Sequence, residues 1–401
     1  MARLRRVLTF VWLGLGLFGL MSGMACAGYI QTNLVSDLPN FAALQDPALK
    51  NPWGISRSGT SPFWVSDQGT NLATLYSVAA NGVVTKTNLN VAIPTTAAGP
   101  QGPTGQVNNN TSAFPVSGTA SSFIFANLNG TISAWRGTLV PNTSSVIVAT
   151  TPGAVYTGLA IGNPALPRLF AANTSQNRID VFDGAFAPVN LGPNAFVDPA
   201  VGALVPFGIQ NIGNNIYVTY APAGRPAQIA ATEGMGAVAV FDTSGNLLQT
   251  LINGSRLASP WGVALAPAGF GPFGGDLLVG NFSFVASEIN AFNPITGAFL
   301  GSIPIDVGSN TPGGLWGLSF GNGNTGNANT LYFADGINGE ANGLFGAIAF
   351  VPEPATLGLL CLGLAALPYS RRTRAGRGSG KGKAGEYASR SNPGVNPELT
   401  S

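Results

Sequence analysis

Pro52-Trp53-Gly54 returns in this chain as Pro206-Phe207-Gly208 and Pro260-Trp261-Gly262, and more loosely as Pro103-Thr104-Gly105, Tyr156-Thr157-Gly158 and Leu315-Trp316-Gly317. The glycines at 54, 105, 158, 208, 262 and 317 lie 51, 53, 50, 54 and 55 residues apart. A near-constant step of this size marks an array of equivalent supersecondary units, propeller blades among them. Working outward from each tripeptide, the same order recurs: a second run of consecutive apolar residues, a polar turn, a third alternating run, and a Gly/Asn turn. In the third repeat these are Leu169-Phe170-Ala171-Ala172-Asn173 and Arg178-Ile179-Asp180-Val181-Phe182-Asp183.

The physics of the runs favours a ring. Continuous apolar stretches such as Phe63-Trp64-Val65 suit strands buried on both faces. Gly follows the bulky tripeptide residue where strands crowd an axis and a side chain would obstruct its neighbour. The expected fold is all-β, a six-bladed β-propeller spanning residues 28–350. Repeats one to five each offer a fourth strand, such as Leu247-Leu248-Gln249-Thr250. The sixth runs from Phe350 straight into Val351-Pro352-Glu353-Pro354 and has none. The unassigned β-rich stretch Tyr29 to Val35 is therefore expected to supply the missing outer strand and close the ring.

Composition limits the chemistry. The 401-residue chain has no His, and its two Cys, Cys26 and Cys361, lie in terminal apolar segments. The expected domain thus has no disulfide, no thiol nucleophile and no Ser-His triad. The overall formal charge is +2, but residues 28–351 carry eight basic and thirteen acidic side chains, a net charge of −5. A nucleic-acid partner would need a basic face, so none is expected.

The two ends read as addresses. Arg3, Arg5 and Arg6, an apolar run and Ala25-Cys26-Ala27 describe a secretory signal peptide over residues 1–27, with Ala25 and Ala27 at the cleavage site. A lipoprotein signal acylated at Cys26 and an uncleaved anchor are the rivals. Signal peptidase and the Sec translocon are the implied partners. At the other end, residues 355–370 carry no charge and are followed by Arg371, Arg372 and Arg374. As a helix this segment would reach roughly 24 Å, a short membrane span with its C-terminus in the cytoplasm. Residues 375–401 read as a basic, disordered tail.

Val351-Pro352-Glu353-Pro354, the apolar span and Arg371-Arg372 together closely resemble the PEP-CTERM sorting signal, here placed over residues 351–374. That resemblance implies an exosortase as partner, cleavage near the Pro-Glu-Pro, and passage from an inner-membrane intermediate to the cell surface or extracellular matrix of a Gram-negative bacterium. The tail beyond Arg374 is longer than usual for such signals. The repeats resemble NHL-type six-bladed propellers, and residues 29–350 resemble a family of exported propeller-like proteins that contributes no known catalytic residues.

One position recurs at the end of each second run: Asp67, Asn127, Asn173, Tyr220, Asn281 and Asp335. In a ring these converge on one channel mouth. The carboxylates and amides among them, Asp67, Asn127, Asn173, Asn281 and Asp335, form a candidate ligand site whose oxygens would suit Ca²⁺. The competing reading has Asp and Asn simply starting turns by bonding their own backbone. Trp53, Phe207, Trp261 and Trp316 share one repeat position and read as inter-blade core, or as a sugar-stacking platform. Asp180, Asp183 and Asp242 could be taken for glycosidase carboxylates, but two of them precede Gly-containing turns. No catalytic residue, metal site or cofactor is assigned. The expected function is a non-enzymatic binding or scaffold protein, its partner an exopolysaccharide or surface protein. The alternative is an extracellular, carboxylate-dependent hydrolase or lyase acting on polysaccharide.

Overall fold

The six repeat glycines show how the ring is built. A side-chain carbon at Gly54 would strike Thr104 O and one at Gly105 the backbone of Leu159, and one at Gly158 would crowd the backbone of Ile209. Gly208 would meet Trp261 O, Gly262 would meet Trp316 O, and Gly317 would meet Trp53 O. Each glycine thus faces the innermost strand of the next blade, and the last faces the first. Only glycine permits backbones to approach so closely.

The computed structural model describes residues 28–96, 99–162 and 165–352. It forms a six-bladed β-propeller, each blade an antiparallel sheet. Blade 1 comprises Pro52–Ser56, Phe63–Asp67, Leu72–Val78 and Val84–Ala92, from axis to rim. Blade 2 comprises Pro103–Asn108, Phe123–Asn127, Thr131–Trp135 and Val146–Thr150. Blade 3 has Tyr156–Gly162, Arg168–Asn173, Arg178–Asp183 and a two-residue outer strand, Pro188–Val189. Blade 4 has Val205–Ile212, Asn215–Ala221, Ala237–Phe241 and Leu247–Asn253. Blade 5 has Pro260–Leu265, Leu277–Asn281, Glu288–Phe292 and Phe299–Pro304.

Blade 6 is built from both ends of the domain. Leu315–Phe320, Thr330–Asp335 and Leu344–Val351 are completed by the N-terminal strand Gly28–Ser36, antiparallel to Leu344–Val351 with Gly28 opposite Val351 and Ser36 opposite Leu344. The closing strand expected from the sequence is therefore present, one residue longer at each end. A two-residue strand, Leu44–Gln45, adds to its outer edge in parallel. Tyr29 locks the closure: its hydroxyl donates to Phe270 O at 2.8 Å, and its ring stacks on Phe273 at 5.4 Å. Gln31 and Asp306 exchange two hydrogen bonds, at 2.7 and 2.9 Å.

The second strand of each blade is buried throughout or nearly so, as its unbroken apolar run requires. Apolar cores lie between successive blades, for example Phe170, Ile179 and Val181 of blade 3 against Ile209, Val218 and Phe241 of blade 4. The last strand ends at Val351, and Pro352 follows with no backbone N–H to extend the ladder. Ala25, Ala27, Glu353, Pro354, Arg371, Arg372, the expected span 355–370 and the tail 375–401 lie outside the described residues. Among the described residues no helix is long and apolar enough to cross a membrane.

Candidate functional site

The channel has two different ends. Innermost strands start at the tripeptide, and the register places each recurrent residue beside that start: Pro52 opposite Asp67, Pro103 opposite Asn127, Tyr156 opposite Asn173, Pro206 opposite Tyr220, Pro260 opposite Asn281, Leu315 opposite Asp335. All six therefore sit at one mouth.

That mouth is shut. Trp53 and Trp316 stack at 3.4 Å, Phe282 lies 4.4 Å from Trp316, and Trp261 meets Trp316 edge-on at 5.6 Å. Phe207 joins them at 5.7 Å from Trp316. Trp261 Nε1 donates to Thr157 O of blade 3 at 2.8 Å, across the axis. The tripeptide aromatics are buried as a core between neighbouring blades around the axis, Trp53 of blade 1 and Trp261 of blade 5 both against Trp316 of blade 6, so they offer no stacking platform to a sugar. Blades 2 and 3 carry Thr104 and Thr157 at this position, which leaves room for three indoles and a phenyl ring. Above the aromatics, Arg225 from the short helix Arg225–Ile229 lays its guanidinium 4.2 Å from the Phe282 ring centre and pairs with Glu340.

The recurrent polar residues do not converge on one point. Asn127 Oδ1 accepts from Asn129 N at 3.2 Å, a turn contact. Asn173 Nδ2 donates to Gln176 Oε1 at 3.0 Å and Asp180 Oδ2 at 2.7 Å. Asn281 bridges Arg256 O and Ala258 N at 2.8 and 3.0 Å. These three tie down chain near their own strands. Asp67 is fully buried, and burial pushes its carboxyl well above the usual range, only partly offset by Thr74. Asp335 is likewise buried, with no hydrogen-bond partner on either oxygen; burial, then the nearby Glu340, raise it to about 7. Among the described residues no group of three or more acids, His or Cys could hold a metal ion. Asp183 and Asp242 each accept from backbone N–H groups of the following turn, at 2.8 to 2.9 Å. Asp180 is engaged by Asn173, Tyr156 and Arg178.

The opposite mouth is open. A cavity of about 850 Å³ is lined by the far ends of the innermost strands of five blades, with Ser56, Gln106, Asn108, Gln210, Asn211 and Ser319 as its polar strand residues and Arg57 just past the first of these strands. Asn110 to Ala113, in the long loop between the first two strands of blade 2, form part of the rim. No Asp, Glu or Lys lines it. Three of the amide nitrogens are committed to protein carbonyls: Gln106 Nε2 donates to Gly54 O and Trp64 O at 2.7 Å, Asn211 Nδ2 to Ile161 O at 2.8 Å, Asn108 Nδ2 to Ser122 O at 2.9 Å. Arg57 donates twice to Phe320 O, at 3.0 and 2.7 Å. Below the cavity the channel narrows to a waist with a void of about 20 Å³. The sequence reading missed this mouth because it followed acids and turn residues. The signal was there: the residue after each repeat glycine is Ile55, Gln106, Leu159, Ile209, Val263 or Leu318, one amide among five aliphatics.

The fold and the C-terminal motif together define an exported propeller. The PEP-CTERM protein-sorting motif matches residues 350–375. This is a sorting signal read by an exosortase, so the chain is an exported, sorted protein. The chain belongs to the same family as the uncharacterized protein L690 of Acanthamoeba polyphaga mimivirus, with 30% identity over 284 residues, 67% of this chain and 72% of that protein. The uncharacterized protein R648 of the same virus is 31% identical over 279 residues, 65% of this chain and 66% of that one. Among solved structures, the virginiamycin B lyase from Staphylococcus aureus is similar at 15% identity and a TM-score of 0.46, over 81% of this chain and all of that one. The gluconolactonase XC5397 from Xanthomonas campestris is similar at 14% identity and a TM-score of 0.43, over 82% and 99% of the two chains.

Proposed function

We propose that this protein is a non-enzymatic binding propeller, delivered by exosortase sorting to the cell surface or extracellular matrix of a Gram-negative bacterium, and that its open mouth holds the partner, an exopolysaccharide. The observation that carries this reading is the make-up of that mouth. It is large enough for a small-molecule or saccharide unit, and its polar lining is amides, hydroxyls and one arginine without a carboxylate. Hydrolysis or elimination on a polysaccharide by paired carboxylates needs acids within reach of the substrate. The buried acids Asp67 and Asp335 belong to the closed end, so the hydrolase or lyase alternative has less support. The test mixes the full chain with exopolysaccharide from the producing cells. Co-sedimentation without new reducing or unsaturated ends is expected. Absence of co-sedimentation would overturn the binding reading, and new chain ends would replace it with the enzymatic one. Deleting residues 351–374 should also abolish surface retention, whereas undiminished retention would remove the sorting half of the proposal.

A further inference from the structure

Of the eight basic side chains between residues 28 and 351, four meet an acid: Lys86 with Asp46, Arg178 with Asp180, Arg225 with Glu340 and Arg256 with Glu233. Arg57 meets none among the described residues, although acids outnumber bases over this stretch. It is half-buried in the wall of the open cavity and is the one charged side chain there. Burial lowers its pKa, and only the Tyr332 phenol acts against that. An unpaired, partly desolvated cation is costly unless something answers its charge. The guanidinium is also held in place. Nε and Nη2 both donate to Phe320 O, at 3.0 and 2.7 Å. The turn that follows Arg57 is pinned to the blade 6 loop beyond Phe320. Asn322 Nδ2 donates to Gly59 O at 3.0 Å, Asn324 Nδ2 to the same oxygen at 2.9 Å, and Thr325 Oγ1 to Ser61 O at 2.7 Å. One edge of the guanidinium is thus taken up by a single carbonyl. The other edge, both N–H groups of Nη1 and the second of Nη2, has no acceptor among the described residues.

We infer that the open mouth takes an acidic saccharide, and that the free edge of Arg57 receives the carboxylate of a uronate unit. This rests on the open mouth being the binding site, and names the charge of what it holds. The fork of a guanidinium matches the two oxygens of a carboxylate, and such charge-assisted bonds are about twice as strong as neutral ones. One cation answers one negative charge. A phosphate monoester would bring close to a second charge and find no other base in the lining. A cationic ligand would face Arg57 and find no acid, whereas no acid lines the wall to repel an anion. The rest of the rim suits sugar hydroxyls. Asn110, Thr111, Ser112 and Gln210 are exposed or half-exposed amides and hydroxyls, which both donate and accept. Arg57 thus sets the charge the site selects, and the rim accommodates the neutral ring atoms around it.

Isothermal titration of the full chain compares uronate di- and trisaccharides with their neutral counterparts, their sulfated counterparts and tetra-aspartate. The uronates should bind about tenfold or more tighter than the neutral sugars, with an affinity that falls as salt rises. Arg57→Gln should bring uronate affinity down to that of the neutral sugars, a loss of about tenfold or more, while urea unfolding stays cooperative. If that variant fails to fold, Gln210→Glu, at an exposed site in the same wall, should weaken uronate binding several-fold and leave the neutral sugars unchanged. Neutral sugars that bind as tightly as uronates, or uronate affinity that survives the substitutions, would overturn the inference and leave the binding reading standing. Tighter binding of the sulfated sugars or of tetra-aspartate would also overturn it, by putting another anion in place of the uronate. Exopolysaccharide that co-sediments equally well after its carboxyl groups are reduced to alcohols would do the same. Exopolysaccharide that fails to co-sediment, together with no binding of any saccharide, would remove the inference and the binding reading at once.

Discussion

The two mouths of the channel are made from the two ends of the same six strands, yet they follow opposite rules. At the closed end the strands begin with Pro and a bulky residue, and the indoles of blades 1, 5 and 6 meet over the axis with Phe207 and Phe282. At the open end the same strands finish in Ser56, Asn108, Gln210, Asn211 and Ser319, which cannot fill the space between them. Aromatic bulk at one end sets the ring diameter; short polar side chains at the other leave that diameter as an opening. A packed end and an open end are thus separated along one axis by only a few residues on each innermost strand.

The largest expected effect is at the plug. Trp316→Ala removes the ring that touches Trp53, Phe207, Trp261 and Phe282, and should cost roughly 3–5 kcal/mol in urea unfolding. A cost below about 1 kcal/mol would show that the aromatics do not hold the ring. Next is Arg225→Ala, which leaves the largely buried Glu340 without its cation; a loss of about 1–3 kcal/mol is expected, discounted because Arg225 is 35% exposed.

The closed end should also set the pH response. Asp335 is raised to about 7 in the fold, so the folded chain holds more protons than the unfolded one from about pH 4 up to 7. Stability should therefore fall as pH rises across that window. Asp335→Asn should flatten the slope and add about 2 kcal/mol at pH 8. Asp67, raised by the same burial, leaves part of the slope in place. An unchanged melting profile between pH 5 and 8 in the variant would contradict the assignment. The smallest effect is expected at the open end, where Gln210→Ala should change stability by no more than about 0.5 kcal/mol. A larger loss would mean that this rim, too, carries the fold.

Much of this architecture can be read from the chain, because it depends on spacing. The recurrence of Gly54, Gly105, Gly158, Gly208, Gly262 and Gly317 follows from a steric condition that repeats once per blade, and the missing outer strand of blade 6 follows from counting. The candidate site was less legible. Asp67, Asn127, Asn173, Asn281 and Asp335 stand at one mouth as their repeat position implies, but repeat position does not tell where a side chain points: the three Asn turn to partners near their own strands, while Asp335 is buried with no hydrogen-bond partner. Their mouth is shut by side chains whose meeting across the axis depends on the ring's radius, which no local pattern contains. Gln106 was visible as a break in an aliphatic series. Its meaning needed the bonds to Gly54 O and Trp64 O, which lie 52 and 42 residues away.

The pairing of Gly28–Ser36 with Leu344–Val351 sets an order of events during export. The first strand of the domain stays unpaired until the last one is available, some three hundred residues later in the chain. Blades 1 to 5 need nothing beyond Pro304, but the circle stays open until Leu344–Val351, the strand that directly precedes the sorting motif, is present. Closure of the propeller therefore depends on the stretch of chain that leads directly into the sorting motif, and a chain truncated before Leu344 would leave its opening strand unclasped.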